Sequence, residues 1–499
     1  MDRKDYYTSK GDVVDVDEKD SIPYEPERQP THMTKDETIA KVLEVHEGGN
    51  YHHHKLGHHD RDVDRVRNIV DLIEDGERKY HKLSWWRLYI VMLVSAVALG
   101  TLSMPSVFAT LGIIGGTITS VSMGCLSVYT SYVVGQVKIR YPQVHHWSDV
   151  GRVLIPGKGG VFLSRFMACA YVFFVCLAIG SHYLTGKAAF RTIVDDQAIC
   201  GVVWSVVTLV VMFVFSLPPS FNEISWLGYV DFASIMSAVF CTLISTGISA
   251  HKKDWNTGWK ATALPGTTFE RGLVSASNAI FAYAFNVGQF SFMEEMANIE
   301  DYPKSIYALG ITMICIHTSV GALGYVFVGP GIKSPALLSA GHTMARIAFG
   351  LALPVIFISG AVLCVMNGRF IMDKMYPNSV VRYVNTARGW AIWIAIIAAL
   401  SLFSWLVSEV IPGFNALLGL VGALFNTATT VYGPSVMWFV LVRKGPCFGT
   451  RRNTILTLVN GFIIAIGLFV LVAGTYASIK DIVDYYNQVD VGKPFSCKA

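Results

Sequence analysis

Between residues 87 and 478 the chain passes through about eleven apolar runs, at 87–110, 112–137, 160–185, 198–217, 227–249, 272–292, 304–328, 343–366, 388–410, 413–442 and 453–478. Most reach the roughly 20 residues that a helix needs to cross the hydrocarbon core of a bilayer. Inside hydrocarbon every backbone polar group must be satisfied without water, and a helix does this within one segment. Composition agrees, since the chain is 52% hydrophobic and 15% charged, whereas soluble domains carry about 25% charged residues. The net charge of +4 is too small to argue for a nucleic-acid partner. The expected fold class is an all-α polytopic membrane protein of about eleven transmembrane helices, with the lipid bilayer as its surroundings.

Two of the runs are not uniformly apolar. The first contains Val97-Ala-Leu-Gly-Thr-Leu-Ser-Met-Pro-Ser-Val107, which places Gly100, Thr101, Ser103 and Pro105 near the middle of a span. Pro105 lacks an N–H and crowds the preceding turn, so a break in the helical ladder is expected there. The sixth run carries Asn278, Asn286, Gly288 and Gln289 at depths where polar groups are costly. The two lie five spans apart, and five is odd, so two five-helix units are expected to run in opposite directions. Interrupted helices at matching positions of inverted halves point to a transport site near the bilayer midplane. The plainer alternative is that these small and polar residues only let helices pack closely, with Asn286 bonded to a neighbour.

Neither break contains Asp, Glu, Lys, Arg or His. Bare N–H groups at a half-helix start attract a carboxylate, and bare carbonyls at a half-helix end attract an ammonium group or a cation. Such a site suits a zwitterion with a neutral side chain, and Phe281, Tyr283 and Phe285 can line an apolar pocket or serve as core. Asp231, near the start of span five, is a candidate partner for a coupling proton or cation, or a solvated residue if the span begins at Phe232. Ser359, in the middle of span eight, is a second candidate cation ligand. Arg165 and Arg346 read as snorkelling anchors. Glu294 and Glu295 can join a gate or lie in a solvated loop.

The tails differ from this body. Residues 1 to about 60 are polar and poor in large apolar side chains, so an 82-residue disordered tail is expected before a transmembrane domain at 83–478 and a short tail at 479–499. Val66, Ile69, Val70 and Ile73 fall at helical spacing and predict an amphipathic helix over 62–80. His52, His53, His54, His58 and His59 read as a solvated tract more readily than as a metal site, and no metal or cofactor is expected. Trp85 and Trp86 mark the lipid–water boundary. Lysines and arginines after spans two, eight and ten and before span one fall on one side if the N-terminus is cytoplasmic, the loop at 251–271 being the exception. The cysteines lie mostly within apolar runs and read as packing residues; Cys200 and Cys497 fall on one face and can pair.

At these same residues the chain resembles the amino acid/auxin permease family, within the amino acid–polyamine–organocation superfamily, and most closely its fungal neutral amino acid permeases. The likeness is carried by Lys82-Leu-Ser-Trp-Trp-Arg, by Ala98-Leu-Gly-Thr-Leu-Ser-Met-Pro and by Tyr141-Pro-Gln-Val-His-His-Trp-Ser-Asp-Val-Gly. Phe281-Ala-Tyr leading into Gln289-Phe-Ser-Phe-Met-Glu-Glu-Met completes it, over residues 82 to 478. The resemblance implies a five-plus-five inverted repeat like that of bacterial leucine transporters, plus one extra helix. It implies symport of neutral amino acids with protons, or with sodium, and unwound backbone at Ala98, Leu99, Gly100, Thr101, Leu102 and Ser103 and at Phe281, Ala282, Tyr283, Ala284, Phe285 and Asn286. The chain departs from the family pattern at Ala98, where the family often has glycine. It also has Ala284-Phe285-Asn286 where many members have Gly-Gly-His, so the histidine usual at that place is missing.

Three rivals are weighed. His145 and Asp149 match a His-x-x-x-Asp spacing used by some acyltransferases, but no second catalytic cluster accompanies them. A nutrient receptor would keep the fold and bind amino acid with little uptake. A vacuolar exporter would share the plasma-membrane charge pattern. The expectation is a plasma-membrane symporter that is not an enzyme, with Lys10, Lys19 and Lys35 as candidate sites for ubiquitin-dependent regulators of the tail.

Overall fold

A computed structural model describes residues 83–195, 198–219, 225–376, 387–411 and 413–488, together with 494, 495 and 497. The helix expected over 62–80, the histidine cluster and the tail lysines lie outside the described residues. What is described is helical, and its one β-bridge joins Leu83 to Met296.

Span one is made of two helices. α1 (Trp85–Ala96) ends at Val97, and α2 (Leu99–Arg140) starts after Ala98. The helical bonding of α2 continues through a sharp corner at Gly112, so residues 99–111 finish span one and 113–140 form span two. Gly112 has φ +75, and a Cβ there would lie 2.3 Å from the Thr262 carbonyl carbon. Only glycine turns this corner under the loop at 252–268 without strain. A short surface helix, α3 (Trp147–Leu154), leads into spans three to five: α4 (Gly157–Val194), α5 (Gly201–Ser216) and α6 (Ser225–His251). Span six is again two pieces, α7 (Phe269–Ala282) and α8 (Gln289–Glu294).

Spans seven to nine are α9 (Tyr302–Val328), α10 (His342–Met375) and α11 (Ala387–Val410). Span ten, α12 (Phe414–Val442), widens to π geometry at Gly422–Tyr432, and span eleven is α13 (Arg451–Asn487). Spans one to five and six to ten are thus two units of opposite direction, each opening on an interrupted helix, with the eleventh span added. The face where span one begins is here the near face, and the opposite one the far face.

Beside two smaller buried clusters, two large ones fill most of the bundle. One gathers side chains of spans one, five, seven and eight with the breaks; the other gathers spans three, four, eight, nine and ten. Phe281 and Leu353 touch both and mark the seam between them. Water does not drive helices together in lipid, so close packing matters more. Span seven meets span one through Gly321 and Gly324, which receive the Phe108 and Pro105 rings.

At the far face a buried ion pair fastens span three to span nine. Lys187 Nζ lies 3.2 Å from Glu409, whose side chain is 2% exposed. Ser205 of span four donates to the same carboxylate, and the Trp405 indole N–H donates to Ser205. Removing one partner of such a pair leaves an uncompensated charge, a loss of about 3–5 kcal/mol. Nearby, Cys200 and Cys497 form a disulfide, and Phe495 packs on Trp405. The other seven cysteines are free, and of these Cys176 and Cys364 are buried as the expected packing role requires, whereas Cys125, Cys169 and Cys315 are exposed.

Candidate functional site

The break in span one is shorter than expected and lies earlier. Val97 and Ala98 alone leave helical geometry, and Leu99 to Ser103 are helical and buried. Pro105 removes one ladder bond, to the Thr101 carbonyl, but the helix carries through it. The hydroxyls of Ser103 and Ser106 donate to the carbonyls of Gly100 and Ser103 and support this turn. Ala98 supplies no side-chain cap to α2, so the first N–H groups of a buried half-helix have no helical partner.

In span six the break runs over residues 283–288, not 281–286: Phe281 and Ala282 still belong to α7, and the irregular backbone reaches Gly288. Asn286 is held from several directions. Its side-chain oxygen accepts from Thr430 at 2.9 Å, its amide donates to the Thr429 carbonyl at 3.1 Å, and its own carbonyl accepts from the Trp147 indole. Those bonds fix the shape of the break, which is why the chain needs no regular ladder there. Tyr283 and Phe285 are buried, and Phe281 is half-buried at the seam.

The two breaks touch. A Cβ on Gly100 would lie 2.9 Å from the Ala282 Cα and 3.2 Å from its Cβ. The start of α2 thus presses on the end of α7, and no charged side chain stands between them. On the other side of span one, Gly228 of span five packs on Val94, one turn before α1 ends. One turn further along span five is Asp231. It is buried, inside a helix that starts at Ser225, and accepts a hydrogen bond from Ser359 at 2.7 Å. Its second oxygen has no partner. The two residues expected separately as ion partners are thus brought together, one turn along span five from its contact with α1.

Both faces are closed over the breaks. On the far side Asn415 of span ten bonds Ser106 of span one and accepts from Ser334 at 2.6 Å. On the near side Leu83 pairs through its N–H and carbonyl with Glu295 and Ala297. Glu294, partly exposed at the end of α8, lies 2.8 Å from His145 and 3.9 Å from Lys138 and so takes part in this near-side contact. Asp149 binds Lys374 at 2.8 Å and caps α3 through the His146 N–H. Burial would raise its carboxyl, but the Lys374 ammonium and that N–H hold it below the usual range. The His145–Asp149 spacing therefore serves two separate structural contacts.

One polar residue in this region has no counterpart among the sequence candidates. His317 of span seven is fully buried, and its Nε2 lies 3.1 Å from the Thr101 hydroxyl. Its ring meets Tyr283 edge-on at 4.8 Å. A lone histidine inside Ile314-Cys-Ile-His-Thr-Ser was the available signal, since ionisable residues at membrane depth mark functional candidates.

Residues 81–480 match the family model described as transmembrane amino acid transporter protein. The chain belongs to that family. Its members are membrane transporters rather than enzymes, which removes the acyltransferase rival. Among relatives, the N amino acid transport system protein of Neurospora crassa is 42% identical over 428 residues, covering 85% of this chain and 90% of that protein. Lysine histidine transporter-like 6 of Arabidopsis thaliana is 23% identical over 85% of this chain and 96% of its own length. Among solved structures, the nucleobase–cation symporter Mhp1 in a closed conformation aligns with TM-score 0.49 at 12% identity, over 82% of this chain and 93% of that one.

Proposed function

We propose that this amino acid transporter carries neutral amino acids by proton symport, with alternating access around the breaks of spans one and six. The observation that carries the reading is the contact of two half-helix ends at Gly100 and Ala282 with no charged side chain at either break. A buried carboxylate or ammonium group would be needed to neutralise an acidic or basic cargo side chain, and backbone ends alone suffice for the zwitterion. Ala98, Leu99, Gly100, Thr101, Leu102 and Ser103 form one wall. Phe281, Ala282, Tyr283 and Phe285 form the other, its shape held by Asn286. Asp231 takes the coupling proton while Ser359 donates a hydrogen bond to it, and the same two oxygens are the candidate ligands if the coupling ion is sodium. The Neurospora relative is an N amino acid transport system protein, which supports an amino acid cargo. The charge pattern supports a cytosolic N-terminus and is shared by plasma-membrane and vacuolar transporters; our reading is the plasma membrane.

Competition tests the cargo. In cells expressing the protein, uptake of a labelled neutral amino acid should be inhibited by a tenfold excess of other neutral amino acids, on the order of the dilution itself. Lysine, histidine or glutamate should compete far less. Equal competition by lysine or histidine, the cargo in the plant relative's name, would overturn the neutral assignment.

A further inference from the structure

His317 stands between the start of α2 and the break of span six and touches both. Its Nε2 meets the hydroxyl of Thr101, in the first turn of α2. Its ring stands at right angles to that of Tyr283, the first residue past the end of α7. The Tyr283 hydroxyl bonds Ser120 of span two at 2.7 Å, and Ser120 bonds Thr318, the neighbour of His317, at 2.8 Å. Thr101, His317, Tyr283 and Ser120 are each 0% exposed. The belt therefore leaves the start of α2, crosses span seven to the break of span six, and returns to span seven through span two.

The remaining ring nitrogen, Nδ1, is buried with no partner among the described residues. A position selected for packing alone would do better with an apolar side chain of similar size, because an unpaired buried nitrogen only costs stability. We propose that His317 is a positioning residue that locks the start of α2 to the break of span six and thereby sets how tightly cargo is held. This deepens the transporter reading above and rests on it.

Transport kinetics of four variants test it: His317→Leu, His317→Gln, Thr101→Val, and Thr101→Val with His317→Leu. His317→Leu should reach the membrane normally and melt no lower than wild type. Its half-saturation concentration should rise about tenfold while the maximal rate changes less than about twofold. His317→Gln, which keeps a hydrogen-bonding group near Thr101, should recover most of the loss. The double variant should be no worse than the more severe single one. An unchanged half-saturation concentration in His317→Leu, or additive effects of the two substitutions, would overturn the proposal. So would a lowered melting temperature with a proportionate loss of maximal rate, which marks a packing role. If the wild-type protein binds amino acid without moving it, the transporter reading fails, and the same ratios are then read from binding affinities.

Discussion

Gly100→Val should reduce amino acid uptake to background while the protein is made and inserted normally. The added Cβ lands 2.9 Å from a backbone atom, Ala282 Cα, which cannot swing aside as a side chain would. Valine adds two methyl groups at the most crowded contact between the breaks, so α2 and α7 must separate. Overpacking of this kind costs about 1–3 kcal/mol, small against the insertion of eleven apolar spans but concentrated on the contact at the centre of the proposed cargo site. Gly100→Ala carries the Cβ without the methyls and should lower uptake by roughly 5–150-fold, the same energy expressed as a coupling factor. Uptake and surface labelling measured together separate a blocked site from a missing protein. Near-normal uptake by a correctly inserted Gly100→Val protein would contradict the midplane site.

The second large effect is expected at Asp231. Asp231→Asn keeps the shape of the side chain and its hydrogen bond with Ser359 but removes the negative charge. Accumulation against a gradient should fall at least about tenfold, because an amide neither binds a proton in this range nor neutralises a cation. Exchange of labelled for unlabelled amino acid across the membrane should survive, since exchange does not require the coupling site to empty. Ser359→Ala should have the same direction and a smaller size, as it removes one neutral hydrogen bond worth about 0.5–1.5 kcal/mol. Loss of exchange and accumulation together in Asp231→Asn would move Asp231 from coupling to the cargo site or to folding.

The extent to which the sequence anticipated this structure varies with the range of the interaction. Span positions depend on a local property, the length of an apolar run, and the expected 304–328, 388–410 and 413–442 lie within two residues of the observed helices. The existence of the two breaks was legible from clustered Gly, Ser, Thr and Asn. Their exact extent was not, because helical geometry at Leu99–Ser103 depends on what those residues meet. Pro105 is tolerated in a helix whose serines support neighbouring carbonyls, and Asn286 is fixed by Thr429 and Thr430 more than 140 residues away.

Pairings across the bundle were hidden for the same reason. Lys187 and Glu409 look in sequence like charges at the ends of runs, and only the packing of span three on span nine makes them a buried pair. His317 needs the register of span seven against span one before its partner becomes visible. Cys200 and Cys497 are 297 residues apart, so facing each other was a geometric option that no local pattern could choose.

The central claim is that this chain moves amino acids uphill by coupling them to an ion, with both breaks forming the site. Its most direct measurement is the uptake of labelled neutral amino acids into proteoliposomes of the purified protein under an imposed inward proton or sodium gradient. Accumulation that rises with the proton gradient and collapses when the gradient is dissipated is the predicted result. Binding of the same amino acids with no gradient-driven accumulation under either ion would contradict it and leave the breaks as the sensing site of a receptor.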